Sequence, residues 1–327
     1  MHPAPDAPQI FQVDAFTREP FRGNPAGVVL HADSLGDARM QDLARELNNG
    51  DTAFVLAPDA PDHDLRVRFF TPRTEAGFVG HATLATHAVL AALRAGGADV
   101  ARNHDGAPSP VVLRQKQRTG IVSVEWRGRG AAAEFVITQP LPPLQAPLAP
   151  ALLAPVLEAL GLQAADLDPR CPATLAGSGS TRLLIGVSSG AVLARLQPDL
   201  ARLQALSADV GAPGYFLYTL QPAVGDCDTE ARMFCPALGI PEDPVSGNAH
   251  AMLGALLWRS GLLPASTSGT PGFKGRQGHH LRRAGELRVE LQGNPDAPAK
   301  VAIIGQAVIV FHATLSRGMA ALSAAGT

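Results

Sequence analysis

Cysteine is scarce in this chain. Cys171, Cys227 and Cys235 are the only three in 327 residues, too few and too widely placed for a disulfide framework, and no Cys-x-x-Cys spacing suggests zinc. A reducing, cytoplasmic compartment fits that usage. An excess of charge of one sign is also lacking. The 27 Lys and Arg residues stand against 29 acidic ones, for a net charge of −2, and no basic tract could track phosphates, so nucleic acid is not an expected partner. No uncharged run reaches membrane-spanning length. The longest, near Ala82 to Leu93, would rise only ~18 Å as a helix against a bilayer core of ~30 Å. The start, Met1-His2-Pro3-Ala4-Pro5-Asp6, has no basic stretch followed by an apolar one, so neither a secretory signal nor a membrane partner is expected. No glycine-rich dinucleotide fingerprint follows a strand. Gly177-Ser178-Gly179-Ser180 has no Gly-Lys-Ser/Thr after it and reads as a flexible turn rather than a phosphate loop.

What the chain does have is apolar mass and a duplicated element. Hydrophobic residues make up 46% and charged ones 17%, which gives a substantial core at a length suited to two lobes. Phe70-Thr71-Pro72 leads to Gly80-His81-Ala82-Thr83 and an uncharged stretch to Leu93. Phe234-Cys235-Pro236 leads to Ser246-Gly247-Asn248-Ala249 and a second such stretch to Trp258, the paired glycines lying 167 positions apart. Each copy reads as a strand, a loop and a helix with no charge around its circumference. Such a helix must be buried. Its N-terminus still carries open N–H groups and the positive end of the helix dipole, which attract an anion.

Between these landmarks the pattern alternates short strands with a few helices. Phe11–Val13 and Ala26–Leu30 read as strands around the turn-forming Pro20-Phe21-Arg22-Gly23-Asn24-Pro25. Met40, Leu43, Ala44 and Leu47 recur at helical spacing and stop at Asn48-Asn49-Gly50. Strands follow at Thr52–Leu56 and Leu65–Phe70, then the first buried helix, ended by Gly96-Gly97, then strands at Val111–Gln115, Ile121–Trp126 and Glu134–Thr138. Prolines at 140, 142, 143, 147 and 150 mark the boundary between an N-terminal lobe, 1–140, and a C-terminal lobe, 141–327. In the second lobe Leu152–Leu160 reads as helix, Leu183–Val187 as strand, Ala191–Leu206 as helix with Pro198 a kink or break, and Tyr215–Leu220 as strand. Ala231–Phe234 enters the second buried helix, and Leu287–Leu291, Val301–Ile304 and Ala307–Phe311 close the series as strands.

Three strings, in this order and spacing, resemble the phenazine-biosynthesis isomerase (PhzF-like) family along the whole chain. They are Val13-Asp14-Ala15-Phe16-Thr17 with Pro20 to Gly27; Phe70-Thr71-Pro72 with Gly80-His81-Ala82-Thr83; and Gly239-Ile240-Pro241-Glu242-Asp243-Pro244-Val245-Ser246-Gly247. The resemblance implies an α+β fold shared with diaminopimelate epimerase and proline racemase. Two pseudo-symmetric lobes would each wrap a barrel-like, mostly antiparallel sheet around a central apolar helix, with the active site in the cleft between them. A homodimer is common in the family, and neither cofactor nor metal is implied. Its catalytic acid/base is a glutamate in a Ser-Glu-Thr string, which here reads Gly50-Asp51-Thr52, so the carboxylate sits on an arm one methylene shorter. The motif histidine falls on His81 and the motif aspartate on Asp243. A hydroxyl residue often found after the second glycine is Asn248.

The implied chemistry is a proton shift within a small, carboxylate-bearing substrate. Asp51 would take a proton from an activated carbon and return it to another, with His81 and Asp243 orienting the substrate and tuning protonation. Gly80 with His81, and Ser246-Gly247-Asn248, are candidates to grip a substrate carboxylate through backbone amides. Asn24 is either a substrate contact or a turn former. The related racemases place a cysteine before each motif glycine; Val79 and Ser246 stand there, so a thiolate pair is not expected. An epimerase using oxygen and nitrogen bases, and a binding or protein-interaction member whose catalysis has decayed, remain as alternatives. His87 and His250, inside the apolar stretches, are expected as hydrogen-bonded core residues and Cys235 as a buried apolar one. His279-His280 lacks a third ligand nearby in sequence and reads as surface or strand, so no metal site is expected.

Overall fold

The structure is a computed structural model that describes residues 8–95, 110–177, 180–223, 225–265, 269–293 and 300–315. The expected helix stop at Gly96-Gly97, the middle of the Gly177–Ser180 turn and Ser266 to Ser268 of the loop before Pro271 lie outside the described residues. The chain divides into two units, Met1–Thr138 with Ile304–Thr327, and Gln139–Ile303.

In the first unit, β1 (Gln9–Ala15), β2 (Asn24–Leu30), α1 (Asp37–Leu47), β3 (Asp51–Leu56), β4 (Leu65–Phe70), β5 (Glu75–Ala76), α2 (Gly80–Ala95), β6 (Val111–Gln117), β7 (Gly120–Arg127) and β8 (Glu134–Pro140) follow in order. The sheet runs β1, β2, β3, β4, β6, β7, β8; β2–β3 and β4–β6 pair in parallel and the rest antiparallel, with β5 a short antiparallel edge on β4. Almost every residue of β2 and β3 is buried. Such two-sided burial means that both faces of the sheet are covered. On one face Met40, Leu43 and Ala44 of α1 pack with Ile10, Val29, Phe54 and Phe70. On the other, α2 touches β1, β2 and β3 and is bonded through His87 to β6 and β7, so the sheet curves around it. Ala82 to Val89 are buried, whereas Leu93 is 50% exposed. The expectation of burial all round therefore holds for the first turns of α2 and fails at its end, where the helix runs past the sheet.

The second unit repeats the plan. Its elements are β9 (Leu144–Pro147), α3 (Pro150–Leu160), β10 (Thr174–Ala176), β11 (Arg182–Gly186), α4 (Gly190–Ala194), α5 (Leu200–Val210), β12 (Tyr215–Thr219), β13 (Thr229–Cys235), β14 (Ile240–Asp243), α6 (Gly247–Arg259), β15 (Gly272–Gln277), β16 (Gly285–Gln292) and β17 (Lys300–Gly305). The sheet order β9, β10, β11, β12, β13, β15, β16 again has two parallel pairs, β11–β12 and β13–β15, and β14 is the short antiparallel edge on β13. Ala249 and Ala251 to Leu257 of α6 are buried, while Val156, Leu160, Leu203 and Val210 of α3 and α5 pack beneath Tyr215 and Leu217. The helix expected over Ala191–Leu206 is two helices. Pro198 removes a donor and Asp199 accepts from Arg202 N at 3.0 Å to start α5 afresh.

The final strand departs from the expected lobe boundary. β18 (Ala307–Thr314) pairs antiparallel with the whole of β1, from Gln9↔Thr314 to Ala15↔Ala307, and so belongs to the first unit rather than to a lobe running 141–327. The reason is that after β17 the chain returns to the sheet in which it began and supplies β18 to the first strand of the first unit. No helix among the described residues is long and apolar enough to cross a membrane.

The helix cores contain histidines held neutral. His87 is fully buried; its Nδ1 accepts from Trp126 Nε1 at 2.9 Å, so the ring proton sits on Nε2 and donates to Gln115 Oε1 at 3.1 Å. Burial pushes His87 down to about 4, and His250 likewise, burial outweighing the hydrogen bond to the Ser246 carbonyl. His250 is only half satisfied, because its Nδ1 donates to Ser246 O at 2.8 Å while Nε2 is buried without a hydrogen bond. Unfolded, both rings return to about 6.5. Between those values the unfolded chain binds protons that the native chain refuses, so stability falls as pH drops from about 6.5 toward 4. Urea midpoints taken between about pH 7.5 and 5 should fall on acidification. A His87→Gln variant should show a shallower fall, and a flat wild-type profile would contradict neutral burial.

Candidate active site

Asp51 is placed by the way α1 ends. Asn48 adopts the left-handed conformation at φ 50° with its N–H on Ala44 O. Asn49 is then locked to β1 by a reciprocal amide pair, Nδ2 to Gln12 Oε1 at 2.8 Å and Gln12 Nε2 to Asn49 Oδ1 at 3.1 Å. The chain therefore enters β3 with Asp51 as its first residue, opposite Ala26 of β2. His81 lies in the first turn of α2, where Thr83 N bonds Val79 O at 2.9 Å. Val79 offers no side-chain acceptor, so the amides of Gly80, His81 and Ala82 precede the first intrahelical bond. Asp51 Oδ2 is 3.8 Å from His81 Nε2, with the side chains 13% and 11% exposed. That separation exceeds a hydrogen bond. Burial holds the His81 imidazole down to about 4, so it is neutral at pH 7, and its Nε2 is buried without a hydrogen bond.

The angular setting of α2 comes from a buried polar row that the residue pattern did not single out. Gln115 Nε2 donates to Thr83 Oγ1 at 3.2 Å and to Gln117 Oε1 at 3.0 Å, while Gln115 Oε1 accepts from His87. One rotation of the helix satisfies all of these partners, and that rotation fixes where His81 points. Inward-facing glutamines at 115 and 117 in an otherwise alternating strand were the available signal. Asn24 opens β2 opposite Ala15 and is only 3% exposed. The turn before it is fixed by the buried Asp14, which accepts from Phe21 N at 2.6 Å, and by Gly23 at φ +59°, where a Cβ would stand 2.1 Å from Ala15 O.

In the second unit, Asp243 ends β14 opposite Met233. Its neighbour Glu242 is clamped by Arg232, whose Nε and Nη2 reach the two carboxylate oxygens at 2.9 and 2.8 Å. Arg232 Nη1 donates to Leu193 O and Leu196 O at 3.0 and 3.2 Å. Glu242 is thus the anchor of the Glu-Asp-Pro string. Gln277, fully buried, brackets the following turn: its Nε2 donates to Asp243 O at 2.7 Å and its Oε1 accepts from Ser246 N at 3.1 Å. Ser246 caps α6, accepting from Ala249 N at 3.2 Å. Both its amide and its hydroxyl are therefore engaged within the unit. The amides of Gly247 and Asn248 form the rest of the first turn of α6, the end that attracts an anion.

In each unit one buried glutamine, from the strand after the apolar helix, reaches back to that helix's start. Cys235 is buried, which pushes its thiol up to about 12, an inert residue as expected. His279 and His280 are not a plain surface pair: they sit on a short turn after β15 beside the buried Glu230.

The comparisons with known proteins agree with this architecture. Residues 13–313 match the family model PhzC-PhzF, described as phenazine biosynthesis-like protein, and the chain belongs to that family. It is 39% identical over 306 residues, covering 94% of this chain and 97% of the relative, to a protein of Salmonella typhimurium named uncharacterized isomerase YddE. It is 32% identical over 257 residues, covering 77% and 80%, to the trans-2,3-dihydro-3-hydroxyanthranilate isomerase of Pseudomonas aeruginosa. A crystal structure of a PhzF-family phenazine biosynthesis protein from Bacillus anthracis superposes with a TM-score of 0.77 at 24% identity, over 94% of this chain and 98% of that one.

The Arg232 clamp yields a stability prediction. Arg232→Met leaves Glu242 as a poorly exposed, unpaired carboxylate and should cost about 3–5 kcal/mol in urea unfolding. Arg232→Met with Glu242→Leu should recover a large part of that loss. An Arg232→Met variant as stable as wild type would contradict the anchoring role.

Proposed function

We propose that this chain is an isomerase that moves a proton within a small, carboxylate-bearing substrate. Asp51 is the proton shuttle, His81 and Asp243 are its partners in catalysis, and the amides of Gly80, Gly247 and Asn248 are the candidate carboxylate grips. The observation that carries the reading is the partly buried Asp51–His81 pair, 3.8 Å apart, which sets the first residue of a strand beside the start of an apolar helix. A protonated imidazole at that distance would hold Asp51 as a carboxylate of little basicity. With its pKa pushed down to about 4 by burial, His81 is neutral. It keeps one N–H to donate and one nitrogen to accept, and leaves the carboxylate able to take a proton and give it back.

In this reading Asp51 removes a proton from a carbon activated by a carboxylate or carbonyl and, its carboxyl exchanging with water between the two transfers, delivers a proton to another carbon of the same conjugated system. Amide N–H groups and the positive helix end stabilise the negative charge that develops between the two transfers. A two-thiolate mechanism has no support, since Val79 and Ser246 occupy the positions before the motif glycines. The name of the Pseudomonas relative supplies a concrete probe. The three cysteines form no disulfide, which suits a reducing compartment.

The test is turnover of trans-2,3-dihydro-3-hydroxyanthranilate in deuterated water. Wild type is expected to return an isomer carrying solvent deuterium at the new C–H position, without inversion of a stereocentre. Asp51→Asn should slow exchange by ~10²-fold or more. Asp51→Glu, which restores the longer arm, should retain exchange. Wild-type rates in Asp51→Asn would remove Asp51 from the mechanism, and inversion would replace the isomerase reading with an epimerase.

A further inference from the structure

Glu230, on β13, is a carboxylate inside the protein at 1% exposure. Its Oε2 accepts from Ala223 N at 2.9 Å. Its Oε1 faces two imidazoles, His279 Nε2 at 2.9 Å and His280 Nε2 at 3.8 Å. Neither approach is aligned as a hydrogen bond: Glu230 Oε1 and His280 Nε2 are both buried without a partner, as is His279 Nδ1. The two rings lie 3.7 Å apart between centroids, too close for two imidazolium cations to share cheaply. A carboxylate oxygen and two imidazole nitrogens thus converge on one point, and three buried polar atoms of the cluster lack a hydrogen bond.

The turn that presents the histidines is rigid. Gly278 has φ +86°, and a Cβ there would come 2.5 Å from both Arg283 O and Pro244 O, so glycine alone fits. Leu281 N and Arg283 N both close onto Gly278 O at 3.0 Å. The ligand atoms of Glu230, His279 and His280 all lie within 4.8 Å of one another. Zinc bonds nitrogen and carboxylate oxygen at about 2.0–2.2 Å in tetrahedral sites, which sets ligand-to-ligand edges of roughly 3.3–3.6 Å. The observed separations of 2.9 and 3.8 Å bracket that edge.

We propose that Glu230, His279 and His280 bind a divalent transition-metal ion, with Zn²⁺ the best match to a two-histidine, one-carboxylate donor set and a fourth position left to water or a small ligand. The proposal is independent of the isomerase reading, because none of the three residues is placed in the proton shuttle. It does bear on the candidate site. Gln277, which brackets the turn from Asp243 to Ser246, immediately precedes the Gly278 turn. A metal bound there would lie one turn away from the residue that holds the N-terminus of α6.

The test uses the full chain, stripped with a chelator and dialysed against Zn²⁺ alone, with metal content measured per chain. One Zn²⁺ per chain is expected, together with a raised melting temperature and, on substitution by Co²⁺, the visible absorption of a tetrahedral site. His280→Ala, at a partly exposed position that should leave the fold intact by circular dichroism, should weaken Zn²⁺ binding at least about tenfold and abolish the cobalt spectrum. Glu230→Gln should do the same, and His312→Ala, on an exposed strand, should change nothing. Equal Zn²⁺ binding by wild type and His280→Ala, or no stoichiometric binding by wild type, would overturn the proposal.

Discussion

The constraint on which the rest depends is the burial of two helices that carry no charge along their packed turns. An apolar helix cannot lie on a surface, so a sheet must curve around it, and the sheet can do so only if its strands are apolar on the inner face and covered on the outer. In the first unit that requirement sets β1 to β7 around α2, with α1 behind them. Burial also has a consequence at the helix start. Amides that precede the first intrahelical bond concentrate the dipole's positive end beside whatever polar groups the neighbouring strands supply.

Those polar groups are few and tightly held. Gln115 and Gln277 each tie a strand to the start of a buried helix, and the Arg232 guanidinium pins Glu242 so that Asp243 comes at a fixed point. Buried polar contacts of this kind add little net stability, but one arrangement satisfies them and every other leaves a donor or acceptor stranded. They therefore act on precision rather than on strength. Chain order acts at a larger scale. Since β18 completes the sheet of the first unit, that unit is not one continuous stretch of chain, whereas the second, Gln139–Ile303, is.

Much of this was legible in the residues. Helical spacing at Met40, Leu43, Ala44 and Leu47, alternation in Leu65 to Phe70 and the duplicated glycine strings located the main elements, and the shared strings pointed to the family. What escaped was long-range. The strand β15 carries Gly272, Lys274 and Gly275 and does not look like a strand; Gly275 is demanded by the His250 ring, which a Cβ there would meet at 2.5 Å. β9 hides among prolines. The partner of β18 cannot be read from its own pattern, because a strand names its face and not its neighbour. The same limit concealed Glu230, a plain acidic residue until the parallel pairing of β13 with β15 sets it beside His279 and His280.

The central claim is that burial keeps His81 uncharged beside Asp51, so that the carboxylate keeps enough basicity to exchange a proton. The most direct measurement is the NMR titration of the His81 ring in the full chain, assigned by its loss in His81→Gln. The ring is predicted to remain neutral well below the free value of about 6.5, with a midpoint near 4. A midpoint at or above the free value would mean that His81 is a cation paired to Asp51, and the account of the site would fail.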